Sequence, residues 1–231
     1  MSAADRLAPL QATADEAEPT LVVNEIYASV QGESSYAGLP CAFVRLTACN
    51  LRCRWCDSTY TFTQGRRQSV REIAGAVTAY GVDLVEVTGG EPLLQANVHE
   101  LMARLLEHDL SVLLETSGSL DIAPVDPRVV VILDLKAPGS GEEARNLWSN
   151  LAHLRPHHEV KFVLADRRDY EWSLDVLRRH KLGERCRVLL SPVHGELDPR
   201  QLVAWMLADR LPARLNLQLH KFVWPGTERG V

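Results

Sequence analysis

The sequence has no apolar run approaching the roughly 20 residues of a membrane-spanning helix, no excess of positive charge, no internal repeat and no second pair of clustered cysteines. Each absence removes a class of protein. Without an apolar span the chain is not expected in a bilayer. A formal charge of -5 argues against nucleic acid as the main partner, because a nucleic-acid face is broadly basic. Five cysteines, three of them close together, make no disulfide framework and fit a reducing cytoplasm in which thiolates bind metal. Residues 1–20 are rich in Ala, Asp and Glu and lack both a basic start and an apolar core, so they read as a solvated tail and not as a secretory signal. With 46% apolar and 24% charged residues, the chain has an ordinary globular composition, and residues 21–231 are expected to form one domain with a proper core.

What is present is a loop. Arg45-Leu-Thr-Ala-Cys49-Asn-Leu-Arg-Cys53-Arg-Trp-Cys56-Asp57-Ser58 sets three cysteines at C-x3-C-x2-C, just after the apolar run from Cys41 to Leu46. Tetrahedral zinc usually takes four N/S ligands, whereas a 4Fe-4S cluster held by three cysteines leaves one iron open for another molecule. The plain alternative is a zinc-stabilised binding module without catalysis, with a histidine as fourth ligand. Cys41 is no fourth ligand: it begins the strand whose far end leads into the loop, and at about 3.3 Å per strand residue it lies too far from Cys49. Cys186 opens another strand, and both read as small buried apolar residues.

Apolar, β-branched runs suited to buried strands occur at 42–47, 84–88, 111–115, 129–135, 160–164, 187–190 and 215–219. Amphipathic helices are expected between most of them: Val70 to Tyr80 after a Ser69 cap, Val98 to Glu107 after Asn97, Arg168 to His180 after Asp166, and Pro199 to Ala208 after Asp198. Such alternation implies a mostly parallel sheet, either closed towards a barrel or open and doubly wound. Each strand carries its unusual polar residues at its C-terminal end. Arg45 and the cysteine loop are followed by Thr88-Gly-Gly-Glu-Pro92, Glu115-Thr-Ser-Gly118, Asp134-Leu-Lys-Ala-Pro138, Ser191-Pro-Val-His194 and Gln218-Leu-His-Lys221. A barrel gathers such ends around one mouth. The fold is therefore expected to be α/β, a partial parallel (β/α)6 barrel with six core strands and small additions at both ends.

Standing alone, a Gly-Gly-Glu-Pro turn is most often a strand-to-helix connector. Paired with C-x3-C-x2-C, it resembles the radical S-adenosylmethionine (SAM) superfamily. The resemblance implies that Cys49, Cys53 and Cys56 hold a 4Fe-4S cluster whose fourth iron is chelated by SAM, the glycine turn holding the methionine amino group. Gln31-Gly32-Glu33, Arg45, Trp55-Cys56-Asp57-Ser58, Glu115-Thr-Ser-Gly118 and Gln218-Leu-His220-Lys221 extend the match. From about Val22 onward the chain resembles the 7-carboxy-7-deazaguanine synthase family. Its members contract the ring of 6-carboxy-5,6,7,8-tetrahydropterin with loss of ammonia, towards queuosine and other 7-deazapurines.

That resemblance implies substrate contacts from Gln31, Gly32, Glu33, Arg45 and Thr88. The SAM pocket would draw on Trp55, Asp57, Gly90, Asp134, Leu135, Lys136, Ser191, Pro192, Val193 and His194. Ser58 falls where the family holds Mg2+, with Thr59 as a competitor. No side chain is expected to act as a catalytic acid or base. The family also implies a homodimer, and the chain is expected to be cytoplasmic. Arg52, Arg54, Arg66 and Arg67 flank the cluster loop and offer a basic face to an acidic electron donor such as a flavodoxin, a solvated face being the simpler reading. Another small radical enzyme, such as a glycyl-radical activase, is the nearer rival. The histidines at 99, 108, 153, 157, 158, 180 and 194 show no ligand-like spacing.

Overall fold

The computed structural model describes residues 18–227 and 229–231. The reading of residues 1–20 as a tail falls almost wholly outside them. One nine-stranded sheet runs in the order β3-β1-β2-β4-β5-β6-β7-β8-β9. It comprises β1 (Thr20–Val30), β2 (Pro40–Leu46), β3 (Arg66–Ser69), β4 (Leu84–Gly89), β5 (Ser111–Thr116), β6 (Val130–Leu135), β7 (Glu159–Leu164), β8 (Arg187–Pro192) and β9 (Arg214–Leu215). From β2 to β9 every pairing is parallel, while β1 pairs antiparallel with β2 and with β3. The six expected core strands are present as β2 and β4 to β8.

The sheet curls as a partial barrel does. Residues between β1 and β2 reach across to the fifth core strand, where Ser35 N–H donates to Glu159 Oε2 at 3.1 Å. After β9 the chain returns to the same loop, and Leu219 N–H donates to the Gly32 carbonyl at 2.7 Å. Loops therefore bridge the open side that a closed barrel would fill with strand pairing.

Among the described residues six α-helices accompany the strands: α1 (Val70–Thr78), α2 (Val98–Glu107), α3 (Arg167–Arg179), α4 (Leu182–Arg185), α5 (Pro199–Asp209) and α6 (Leu219–Val223). On α1 the buried residues are Val70, Ile73, Ala74 and Val77, and on α2 Val98, Leu101, Met102 and Leu105. The i, i+3, i+4, i+7 spacing lays one apolar stripe of each helix on the sheet's outer face. Starts are capped as the sequence implies at Ser69, in a capping box with Glu72, at Asp166 and at Asp198. Asn97 is different: its side chain makes no cap bond and donates instead to the Thr20 carbonyl at 3.0 Å, tying α2 to β1.

At the ends one expectation needs correction and one strand is unanticipated. Of the run 215–219 only Leu215 lies in a strand, the two-residue β9, because Asn216 leaves the ladder. Its N–H donates to the Leu190 carbonyl at 2.9 Å and its amide to Ser191 Oγ at 2.8 Å, after which α6 begins. The eleven-residue β1 was not among the expected core strands, since a register shift near Glu25 interrupts its alternation.

Candidate active site

Strand alternation sorts the residues facing the barrel interior into layers. The lowest layer is an apolar plug of Tyr27, Cys41, Phe43, Leu84, Leu113 and Ile132. One step higher on each strand stand Glu86, Glu115, Asp134 and Lys161, and above these Thr88, Ser117 and Lys136 open into a cavity of about 860 Å³. A cavity of this size suits small molecules of cofactor and substrate dimensions.

The cavity lining includes Gln31, Gly32, Glu33, Arg45, Cys49, Cys53, Trp55, Cys56, Asp57, Ser58, Thr88, Gly90, Asp134, Lys136 and Ser191 to His194. Of the residues that the family resemblance assigns to substrate, SAM or metal, only Leu135 is not brought there. Alternation along β6 turns Asp134 inward and buries Leu135 in the outer core between sheet and helices. Leu135 therefore has only its backbone to offer a ligand.

The polar groups are heavily interlinked. Arg45 Nε pairs with Glu25 Oε1 at 2.9 Å and its terminal nitrogen donates to Tyr27 Oη at 2.8 Å. Tyr60 Oη donates to the same Glu25 oxygen at 2.8 Å, so the guanidinium is held by one edge. Lys161 pairs with Glu33 at 2.9 Å, with Glu115, and with Asp134 at 3.9 Å. Burial would lower the Lys161 pKa, but Glu115, Glu33 and Asp134 outweigh it and hold the ammonium charged. Burial would likewise raise Glu115, and the adjoining Lys161 reverses this, keeping it ionised. Lys136 pairs with Asp134 at 2.8 Å instead of lying free in solvent. Asp57 accepts from Lys221 at 2.8 Å and from Gln218 at 3.1 Å. Burial pushes this carboxyl up, but those partners bring it down to about 2.

The cysteine loop rests on the turn after β4. Gly89 has φ +154°, and a Cβ at Gly90 would stand 2.7 Å from Cys49 Cβ, so only glycine allows this approach. Glu91 N–H donates to the Ala48 carbonyl at 2.8 Å. The Glu91 carboxylate is fully buried and accepts from Thr116 Oγ1, Ser117 N–H, Ser117 Oγ and Leu93 N–H, binding the turn to the end of β5. Burial raises the Cys49 thiol and takes Cys53 to about 11, with Lys136 countering, so metal must displace protons on binding. Among the described residues no three His, Cys, Asp or Glu side chains converge on a point where one metal ion would sit. The three half-buried thiols line the same cavity, and a 4Fe-4S cluster would bind each of them through a separate iron.

The basic face expected for an electron donor is largely spent within the chain. The Arg52 guanidinium donates to the carbonyls of Cys49 at 2.9 Å and Leu51 at 2.6 Å, and Arg54 pairs with Glu196 at 2.8 Å. Arg66 and Arg67 lie on the edge strand β3.

Sequence reading missed Glu86 and Lys161 and gave Glu115 no role. The signal was there: charged residues at period two inside apolar parallel strands, Glu86 in Leu84–Gly89 and Glu159 and Lys161 in Glu159–Leu164. Such residues must face a polar interior, since both faces of a parallel sheet are covered.

A curled parallel sheet with three cysteines at one strand end, and a glycine turn packed against them, defines a radical SAM enzyme. The Radical SAM superfamily model matches residues 44–135. Enzymes of this class use SAM and a 4Fe-4S cluster. The 7-carboxy-7-deazaguanine synthase of Chlorobaculum tepidum is 46% identical over 93% of this chain and 99% of its own. That of Koribacter versatilis is 47% identical over 90% and 99%. The chain belongs to the 7-carboxy-7-deazaguanine synthase family. In fold it is similar to QueE from Escherichia coli, with a TM-score of 0.73 at 22% identity, over 87% of this chain and 95% of that one. It is less similar to TYW1 with a lysine-pyruvate adduct bound, with a TM-score of 0.56 at 12% identity, over 73% and 72%. No helix among the described residues is long and apolar enough to cross a membrane.

Proposed function

We propose that this chain converts 6-carboxy-5,6,7,8-tetrahydropterin to 7-carboxy-7-deazaguanine with release of ammonia. The observation that carries this reading is one cavity shared by the three thiols, an arginine held by one edge, and a layer of fixed carboxylates and lysines. Cys49, Cys53 and Cys56 would hold the cluster, and the bound SAM would supply a 5′-deoxyadenosyl radical. The chain's own part is binding, orientation and exclusion of water. The unpaired face of Arg45 offers two donors to the substrate carboxylate. Glu33, Thr88 and the Gln31–Gly32 backbone line the same cavity and would contact the heterocycle edge. Gly90, Asp134, Lys136, Trp55, Asp57 and Ser191 to His194, all lining the cavity, would hold SAM, with Leu135 contributing backbone only.

We assign Mg2+ to Ser58. Among the described residues its hydroxyl has only a 3.8 Å contact with Cys56 Sγ, which leaves a hard oxygen free for a cation that keeps several waters. Family resemblance alone supports a homodimer and a flavodoxin-type reductant. Anaerobic reconstitution followed by a product assay tests the reading. Iron-loaded protein given reductant, SAM and the pterin should yield the deazaguanine and ammonia. Formation of 5′-deoxyadenosine only at the substrate-free rate, with no deazaguanine, would end it.

A further inference from the structure

Glu86 is a carboxylate at a place where nothing in the proposed chemistry calls for one. It sits on the inner face of β4, 3% exposed, directly above the apolar plug. Its Oε2 accepts from Gln31 Nε2 at 2.6 Å, and at the other end of that amide Gln31 Oε1 accepts from Glu33 N–H at 2.7 Å. One partner is an acceptor and the other a donor, so the Gln31 amide has a single orientation and cannot flip. Gln31 itself is 2% exposed, and this bridge joins the strand to the loop that carries Glu33. The loop backbone is tied at its ends, by Gln31 N–H to the Leu39 carbonyl and by Leu219 N–H to the Gly32 carbonyl. Ser35 N–H, bonded to Glu159, ties the next stretch of the loop, and the Glu33 backbone between these ties is held by its N–H on the Gln31 amide, which sets how Glu33 projects towards Lys161.

We propose that Glu86 is a positioning residue for substrate: by fixing the Gln31 amide it sets the Gln31–Gly32–Glu33 loop against the donor and acceptor edge of the bound heterocycle. The proposal rests on the cavity binding the carboxypterin. It also redefines Gln31, whose amide is bound to the protein at both ends and acts as the connector between Glu86 and the loop.

The groups facing Glu86 decide its charge. Tyr27 approaches from β1, Cys41 from β2, Glu115 from β5, Lys161 from β7, and Gln31 and Glu33 from the loop. Burial, reinforced by Glu115, pushes the Glu86 carboxyl up to about 8, so at neutral pH it is an uncharged acid. Lys161 then serves three carboxylates and not four. Ionisation above that pH adds a negative charge beside Glu33 and Glu115, which repels both Glu33 and the anionic substrate.

The test compares reconstituted wild type, Glu86→Gln and Glu86→Leu for product formation, KM and kcat between pH 6.5 and 9.5. Glu86→Leu removes the acceptor and should raise the KM for the pterin at least about tenfold, the equivalent of one lost hydrogen bond in place, with a much smaller change in kcat. Glu86→Gln keeps a carbonyl acceptor and should bring KM back to within about threefold of wild type at neutral pH. It should also keep KM flat where that of the wild type climbs above pH 8. A Glu86→Leu KM equal to that of wild type overturns the proposal. Should that variant fail to fold, a rise of KM with pH in Glu86→Gln as steep as in wild type overturns it. Absence of product from wild type would instead refute the substrate assignment, whatever the variants do.

Discussion

Replacing Glu91 by glutamine exchanges one oxygen for an NH2 group without changing the volume, and the surrounding donors make that exchange costly. Oε1 accepts from Leu93 N–H at 3.0 Å and from Thr116 Oγ1 at 2.9 Å. Oε2 accepts from Ser117 N–H at 2.7 Å, Ser117 Oγ at 2.6 Å and Thr116 Oγ1 at 3.0 Å. Each oxygen thus faces one backbone N–H, and neither hydroxyl rotation nor an amide flip can remove a donor facing donor. A buried N–H left without an acceptor costs about 1–3 kcal/mol, and loss of charge assistance on the other bonds adds to it. A total of roughly 3 kcal/mol should lower the unfolding midpoint by about 6–12 °C for a domain of this size. Because the turn carries Gly90 against Cys49, the loosened brace should also weaken SAM binding. Anaerobic thermal unfolding and equilibrium SAM binding on reconstituted protein read both effects. Glu91→Gln with an unchanged midpoint and unchanged SAM affinity would refute the reasoning.

Arg45→Ala removes the donor pair proposed for the substrate carboxylate. It should raise the KM for the pterin roughly 30- to 150-fold, the equivalent of 2–3 kcal/mol for a charge-assisted bond, with the cluster's visible spectrum intact. Loss of the spectrum would make Arg45 a structural residue that holds Glu25. His158 gives a pH prediction. It is 4% exposed, and burial, with His157 and Arg155 adding repulsion, lowers its pKa from 6.5 to about 4. The unfolded chain binds this proton first, so stability is full above pH 6.5 and declines as pH falls to 4, by up to roughly 3 kcal/mol. His158→Asn keeps an acceptor for Arg155 N–H and should flatten that part of the stability curve. A slope as steep as that of wild type in denaturant unfolding would refute the assignment.

How far the sequence revealed this site depended on which residues recur as local patterns. The three cysteines fall within eight residues, so their spacing alone pointed to metal chemistry, whereas the Gly-Gly-Glu turn, alone a common connector, gained its meaning only beside them. The six core strands were legible because both faces of a parallel sheet are covered and the runs are continuously apolar. The pairing of Glu33 with Lys161 joins residues 128 apart, and that of Asp57 with Lys221 joins residues 164 apart; only the curl of the sheet brings them together. Asn97 looked like a helix cap by type and position, yet Thr20 competes for its amide from an antiparallel strand the alternation did not disclose.

The charged layer also bears on why the loop carrying Glu33 stands where it does. A buried lysine or carboxylate is tolerated only when paired, so Lys161 needs Glu33 and Glu115, and Glu33 must be drawn in from a loop that no strand ladder holds. Gln218 and Asn216 approach the same Glu33 carboxylate at 3.0 and 3.4 Å from the other edge of the sheet. The polar interior therefore helps to close the barrel as well as to line its cavity: the open side is spanned by groups that meet at Glu33. Glu33→Gln tests this directly. It leaves Lys161 short of one counter-charge while keeping the shape, and it should destabilise the fold by about 1–3 kcal/mol even without substrate or SAM. A residue that served substrate alone would leave the unfolding midpoint of the ligand-free protein unchanged.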